Sequence, residues 1–339
     1  MMLLESMMWR YKELRNFDFD MQIDAVITWV DSSDEVWRNK INQYLDKKID
    51  WSNKKESTRY NSINEIEISI LSILKFAVYI KNIYVVTDNQ QPHNFLELKQ
   101  KAKAQGVNLE LVDHKVIFKG YEEYLPTFNS QTIETMLYRI PNLSEHFVYF
   151  NDDMFLINET KPSDFFIDGF PVLRGGWIKF NENIFYKRIF ATKEKANRVT
   201  HKKAKEKGAK LAGFNKNYNF HHTPYPLRKS TFEKIFSQNK DILLLNIKHK
   251  FRHIDQYVPQ GFINHIEIKN NTSFLKKDLA LVYIQSYRWF KVKKKLWSAE
   301  RNKNKLFMCL QSLETAPKSM FDLIINWLNQ KFNSNFSEY

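Results

Sequence analysis

Asn129–Ile157 reads NSQTIETMLYRIPNLSEHFVYFNDDMFLI, and its second half decides the fold. Phe147–Val148–Tyr149–Phe150 is an uncharged run of β-formers, the pattern of a strand buried on both faces of a parallel sheet. It runs into Asn151–Asp152–Asp153 and returns at once to apolar Met154–Phe155–Leu156. Neighbouring carboxylates at the end of an apolar strand repel each other in poor solvent and raise each other's pKa. A divalent cation relieves that repulsion, and oxygen ligands of this kind suit Mg²⁺ or Mn²⁺. The plain alternative is a solvated turn. The apolar flanks on both sides favour a metal held by Asp152 and Asp153, with Asn151 as an adjoining substrate contact.

Working back from this strand, Asn129–Ile140 reads as a helix with Ile133, Met136, Leu137 and Ile140 turned inward. Asn129, Ser130 and Glu134 lie at or near its first turn, where free backbone N–H groups hold a phosphate well. Upstream come three β-α units. Ile23–Val30 (IDAVITWV) is a buried strand ending at Asp31, and Ser32-x-x-Glu35 is a capping box opening a helix to about Ile49. Ser62-x-x-Glu65 opens a second helix, with Ile63, Ile66, Ile70, Ile73, Leu74 and Ala77 on its core face, before the strand Ile83–Val86. Pro92 starts a polar helix to about Gln105, and Leu109–Val112 is a third strand. Strands alternating with helices in this way predict an α/β fold, a Rossmann-like, doubly wound, mainly parallel sheet. Asp31 lies at a strand's carboxyl end, where such sheets bind ligands, and reads as a nucleotide or metal contact.

Charged residues make up 27% of the 339 and apolar ones 43%, the balance of a globular protein. Net charge is +14 and is local: 187–216 and 269–305 each carry eleven Lys/Arg against two acids, leaving the rest of the chain net negative. Such concentration points to an anionic partner, among nucleotide phosphates, a polyanionic glycan or an acidic membrane surface. Cys309 stands alone, which excludes an internal disulfide and a Cys-based zinc site and fits a reducing compartment. No apolar run approaches the roughly 18 residues of a membrane span, and the first residues lack the apolar core of a signal peptide, so a cytoplasmic protein is expected.

The organisation expected is an extension over 1–22, a catalytic α/β domain over 23–268 with a basic helical insertion or lid near 187–216, and a basic, mostly helical region over 269–339. Within the second half, Pro224 and Pro226 keep His221 and His222 off a helix and on a rigid extended segment. Phe251–Asp255 (FRHID) is a second His-bearing loop and adds Arg252 and His253. Residues 316–333 form a closing amphipathic helix.

Taken in order, these pieces resemble the Stealth family, which includes bacterial capsular polysaccharide phosphotransferases and the eukaryotic GlcNAc-1-phosphotransferase that tags lysosomal enzymes. The resemblance lies in IDAVITWVDSSDEVW at 23–37, RYNSINEIEISILSILKFAVYIKNIYVVTDNQ at 59–90 with FNSQTIETMLYRIPNLSEHFVYFNDDMF at 128–155, HHTPYPLRKSTFEKIF at 221–236 and, more loosely, KFRHIDQYVPQGFINH at 250–265. It implies transfer of a hexose-1-phosphate from a UDP-sugar to a hydroxyl of an anionic glycan acceptor, with release of UMP. By motif position, Asp152, Asp153, His222 and Arg252 would be catalytic and Asp31 and Arg59 would sit at the donor; Asn61 and His253 are further candidate contacts. Peripheral contact with the inner membrane or a capsule assembly complex is compatible with the basic 269–305 stretch. One rival is a metal-dependent glycosyltransferase releasing UDP. The other, a basic RNA- or membrane-binding protein, leaves Asp152–Asp153 and the paired histidines unexplained, and no RNA-binding aromatic motif supports a nucleic-acid partner.

Overall fold

The computed structural model describes residues 21–53, 65–184, 198–334 and 336. The central sheet is the one the strand pattern predicts. β1 (Ile23–Thr28) is followed by α1 (Glu35–Asn42) and α2 (Glu65–Phe76), then β2 (Asn82–Thr87), α3 (Phe95–Ala104) and β3 (Asn108–Asp113). After α4 (Ser130–Met136) the chain returns as β4 (His146–Asn151) on the other flank of β1. β1 pairs parallel with both β2 and β4, with Ala25 opposite Ile83 on one side and Val148 on the other. β1, β2 and β4 are apolar along their centres because helices cover both faces of such a sheet, whereas the edge strand β3 exposes Asn108 and Glu110. Asp24 is the exception inside β1; its carboxylate accepts from Asn82 Nδ2 and the Ser144 N–H, each at 2.8 Å, which satisfies it without water.

Some element bounds differ from the expectation. The N-cap of α1 is Asp34, whose carboxylate accepts from the Val36 N–H at 2.8 Å, while the Ser32 carbonyl accepts from Arg38 Nε. That helix stops at Asn42 because the Asn42 side chain closes a loop on both backbone groups of Ile49. α3 begins at Phe95 and not at Pro92, since residues 92–95 form a turn from the Pro92 carbonyl to the Phe95 N–H. α4 loosens into a 3₁₀ turn at Leu137–Arg139. Residue 62, the expected cap of α2, lies outside the described residues.

β5 (Met154–Leu156) leaves the sheet just after the Asp pair. β6 (Phe166–Ile167), β7 (Phe170–Lys179) and β8 (Lys216–Phe220) build a small antiparallel sheet. Between β7 and β8 the basic segment supplies α5 (His201–Leu211), a helix docked on the body and not a loose strap. Gly208 faces α8 there, where a Cβ would stand in ordinary contact, 3.4 Å from Phe262 and from the Val258 carbonyl. β9 (Tyr225–Arg228) adds antiparallel to β4 as the sheet's edge strand, the one place where Pro226 is tolerated. α6 (Lys229–Gln238), α7 (Lys240–Ile247) and α8 (Pro259–Lys269) follow.

The C-terminal region holds two long helices, one of them over the expected closing helix, and three strands that the mostly helical reading does not include. β10 (Phe274–Lys276) joins β7; β11 (Leu281–Ile284) precedes α9 (Trp289–Arg301), and β12 (Phe307–Leu310) precedes α10 (Lys318–Phe332). β12 pairs antiparallel with β5, placing Cys309 opposite Met154. The region is therefore knitted to the main body, and its own core (Val282, Ile284, Leu296, Ile324, Leu328) packs around Phe155 and Ile157.

Candidate active site

The strand order β3-β2-β1-β4-β9 reverses direction of growth between β1 and β4. In open α/β sheets that switch point leaves a crevice beyond the strands' carboxyl ends. Thr28 pairs with Asn151 there, so Trp29 and Val30 face Asp152 and Asp153 across the gap. The crevice is a cleft of about 620 Å³, and Asn129, Ser130, Glu134, Asn151, Asp152, Asp153 and Arg252 all line it.

Five carboxylates face this space, Glu134 of α4 among them. Asp152 and Asp153 come from the turn after β4, Glu65 from the start of α2 and Glu314 from the turn after β12. Burial, and then the charge of Asp153, pushes the Asp152 carboxyl up to about 7. Burial and the two aspartates raise Glu65 well above the usual carboxylate range, and burial raises Glu314 as well. Asp153 Oδ1 and Glu65 Oε1 are buried with no hydrogen-bond partner. Unpaired buried carboxylate oxygens are costly unless something positive meets them. Here the ligand atoms of Asp153, His222 and Cys309 lie within 4.8 Å of one another, a mixed oxygen, nitrogen and sulfur set, with the oxygens of Asp152 and Glu65 facing the same cleft.

His222 reaches Asp153 from the segment between β8 and β9, its Nε2 lying 3.7 Å from Asp153 Oδ2. The same oxygen accepts from the Cys309 thiol at 3.3 Å. Burial and the neighbouring Asp153 push that thiol far up, so it stays protonated and is no nucleophile. Arg252 lines the cleft from the loop after α7, its guanidinium donating to Ser130 Oγ at 3.4 Å. His201, exposed on the first turn of α5, is held below the ordinary imidazole range by desolvation and by the nearby Lys205, Arg252 and His222.

The other predicted residues divide. Asn129 caps α4 and donates to Gln256 Oε1 at 2.8 Å, so its polar atoms brace the wall. Glu134 and Asn151 both meet the Tyr149 hydroxyl, at 3.1 and 2.6 Å, and burial raises Glu134. Asp31 is not part of the lining; its carboxylate accepts from the Ser33 N–H and hydroxyl and shapes the turn after β1. His253 faces away, stacked on His249 at 4.1 Å and accepting from the Asp255 N–H. Arg59 and Asn61 lie outside the described residues. Sequence reasoning missed Glu65, Glu314 and the buried His114 of the cleft wall. Glu65 looks like a capping-box residue, and Glu314 carries no local signal at all.

Fold and site together define an α/β protein with a carboxylate-lined cleft at the switch point of a parallel sheet. Residues 21–49 match the model of Stealth protein conserved region 1, and residues 59–172 that of conserved region 2. The chain is 34% identical over 233 residues to a capsular polysaccharide phosphotransferase of Haemophilus influenzae, covering 68% of this chain and 60% of that protein. A receptor polysaccharide phosphotransferase of Streptococcus gordonii is 33% identical over 260 residues, covering 68% and 73%. Among solved structures, the WbbM bifunctional glycosyltransferase matches 94% of this chain and 52% of its own, with 12% identity and a TM-score of 0.48. The chain belongs to the Stealth family, and it spans 60% of the length of the Haemophilus relative.

Proposed function

We propose that this protein transfers a sugar-1-phosphate from a nucleotide diphosphate sugar, a UDP-hexose in the simplest case, to a hydroxyl of a glycan, building phosphodiester links of a capsular polysaccharide. The observation that carries the reading is an acid cluster met by two basic groups: Arg252 lines the cleft, and His222, outside the lining, lies 3.7 Å from Asp153. Phosphoryl transfer rests chiefly on positioning and on balancing charge at phosphate oxygens, and this set of side chains supplies both.

In the reaction, the acceptor oxygen attacks the β-phosphorus. The new O–Pβ bond forms as the bond from Pβ to the bridging oxygen breaks, and UMP leaves with that oxygen; the sugar keeps its own anomeric C–O bond. His222 takes the hydroxyl proton, and the Asp153 carboxylate 3.7 Å away orients the imidazole. Arg252 offers a planar pair of donors to the β-phosphate. Asp152 and Asp153 would hold a Mg²⁺ or Mn²⁺, which when bound offsets the negative charge of the diphosphate. The test is to supply UDP-sugars and an oligosaccharide primer with Mg²⁺ and identify the nucleotide released. UMP supports this reading; UDP supports the rival glycosyl transfer.

A further inference from the structure

Helix α9 presents two unlike faces. Val292, Leu296 and Ala299 are buried against the C-terminal core, while Phe290, Lys294, Trp297 and Arg301 recur at helical spacing on the outer face. Phe290 is 81% exposed and Trp297 57% exposed. Between residues 288 and 303 there are seven Lys/Arg and a single acid, Glu300. Lys293 lies 4.0 Å from the centre of the Trp289 ring, and Arg301 4.8 Å from that of Trp297, so cations and aromatic rings are interleaved. Lys305 donates to the Leu279 carbonyl, which brings another largely exposed apolar side chain to the loop following the helix.

A solvated surface helix has no use for a phenylalanine and two tryptophans on its outer side. A glycan or nucleotide site would be concave and would offer planar amides and carboxylates to hydroxyl groups. This face is a convex ridge with aromatic tips and a cationic rim. Those are the features of a helix that lies in the headgroup layer of a bilayer, with aromatics inserted and Lys/Arg on anionic lipid. No helix among the described residues is long and apolar enough to cross a membrane, so the contact would lie along the surface.

We infer that α9 is a docking face for a membrane surface rich in anionic lipid, with Phe290 and Trp297 as inserted anchors and Lys293, Lys294 and Arg301 on the headgroups. The inference is independent of the reaction and is tested without an activity readout. The full chain is sedimented with vesicles of 30% phosphatidylglycerol in phosphatidylcholine, and with phosphatidylcholine alone. Binding is expected to the anionic vesicles only, with a weakening of tenfold or more between low and physiological salt. The double variant Phe290→Ser/Trp297→Ser should bind at least tenfold more weakly with an unchanged melting temperature, since both side chains are exposed. Lys293→Glu/Lys294→Glu should do the same. Absence of binding to anionic vesicles at low salt overturns the inference. So does vesicle binding that survives both double variants, or binding to soluble dextran sulfate without binding to vesicles.

Discussion

His222 Nε2 and Asp153 Oδ2 lie 3.7 Å apart, although one follows β8 and the other follows β4. The antiparallel pairing of β9 with β4, Tyr225 opposite Tyr149, swings the histidine segment back over the end of the parallel sheet. The pair then joins an imidazole to the acid cluster. His222→Ala should lower turnover by roughly 10²-fold or more, the usual worth of a general base. Initial rates and a melting curve check it; near-normal turnover in a folded variant would remove His222 from the mechanism.

The metal reading predicts a measurable gain in stability. With five carboxylates facing the cleft, added Mn²⁺ or Mg²⁺ should raise the melting temperature, by about 2.7 kcal/mol of stabilisation at 100 times its dissociation constant. Asp153→Asn should shrink or abolish that shift, and Glu65→Gln should weaken it. Chelation should stop turnover, and a melting temperature indifferent to either ion would count against the site.

Much of the fold was legible because its strands are apolar on both faces. IDAVIT, NIYVVT and HFVYFN announce buried parallel strands, and Asp152–Asp153 drew notice because the acids are adjacent in sequence. The rest of the acid cluster was invisible for a geometric reason. Glu314 reaches the cleft only because β12 pairs with β5, a contact between distant segments. β11 and β12 themselves, LVYI and FMCL, are four-residue apolar runs, too short for periodicity to separate strand from helix. Asp31 has the placing of a ligand contact, and its carboxylate accepts from the backbone and the hydroxyl of Ser33 in the turn after β1.

Stability away from the cleft should depend on Glu267, fully buried on α8. It receives Arg228 through two bonds at 3.0 and 2.6 Å and the hydroxyls of Thr231 and Thr272. Glu267→Ala leaves the guanidinium without its partner, which typically costs about 3–5 kcal/mol. Urea unfolding should show a lower midpoint with an unchanged slope. A loss below about 1 kcal/mol, the worth of an exposed pair, would contradict this account.

Acid should weaken the fold through His265. Its Nδ1 donates to the Gly261 carbonyl at 2.6 Å and its Nε2 accepts from the Tyr218 N–H at 3.0 Å, so the neutral ring is the one that fits. Burial pushes its pKa down from 6.5 to about 4. Between those values the unfolded chain binds a proton that the folded chain refuses, so this contribution is intact above pH 6.5 and is lost as pH falls toward 4. His265→Gln should remove about one proton from the pH slope of unfolding in that window. An identical slope in the variant would refute the assignment.

The central claim is that the β-phosphate travels with the sugar. Incubation with a UDP-sugar labelled with ³²P at the β position, an oligosaccharide primer and Mg²⁺ tests it in one step. The account predicts that the label enters the glycan in a phosphodiester while unlabelled UMP is released. Label retained in UDP, with an unlabelled glycan product, would contradict it.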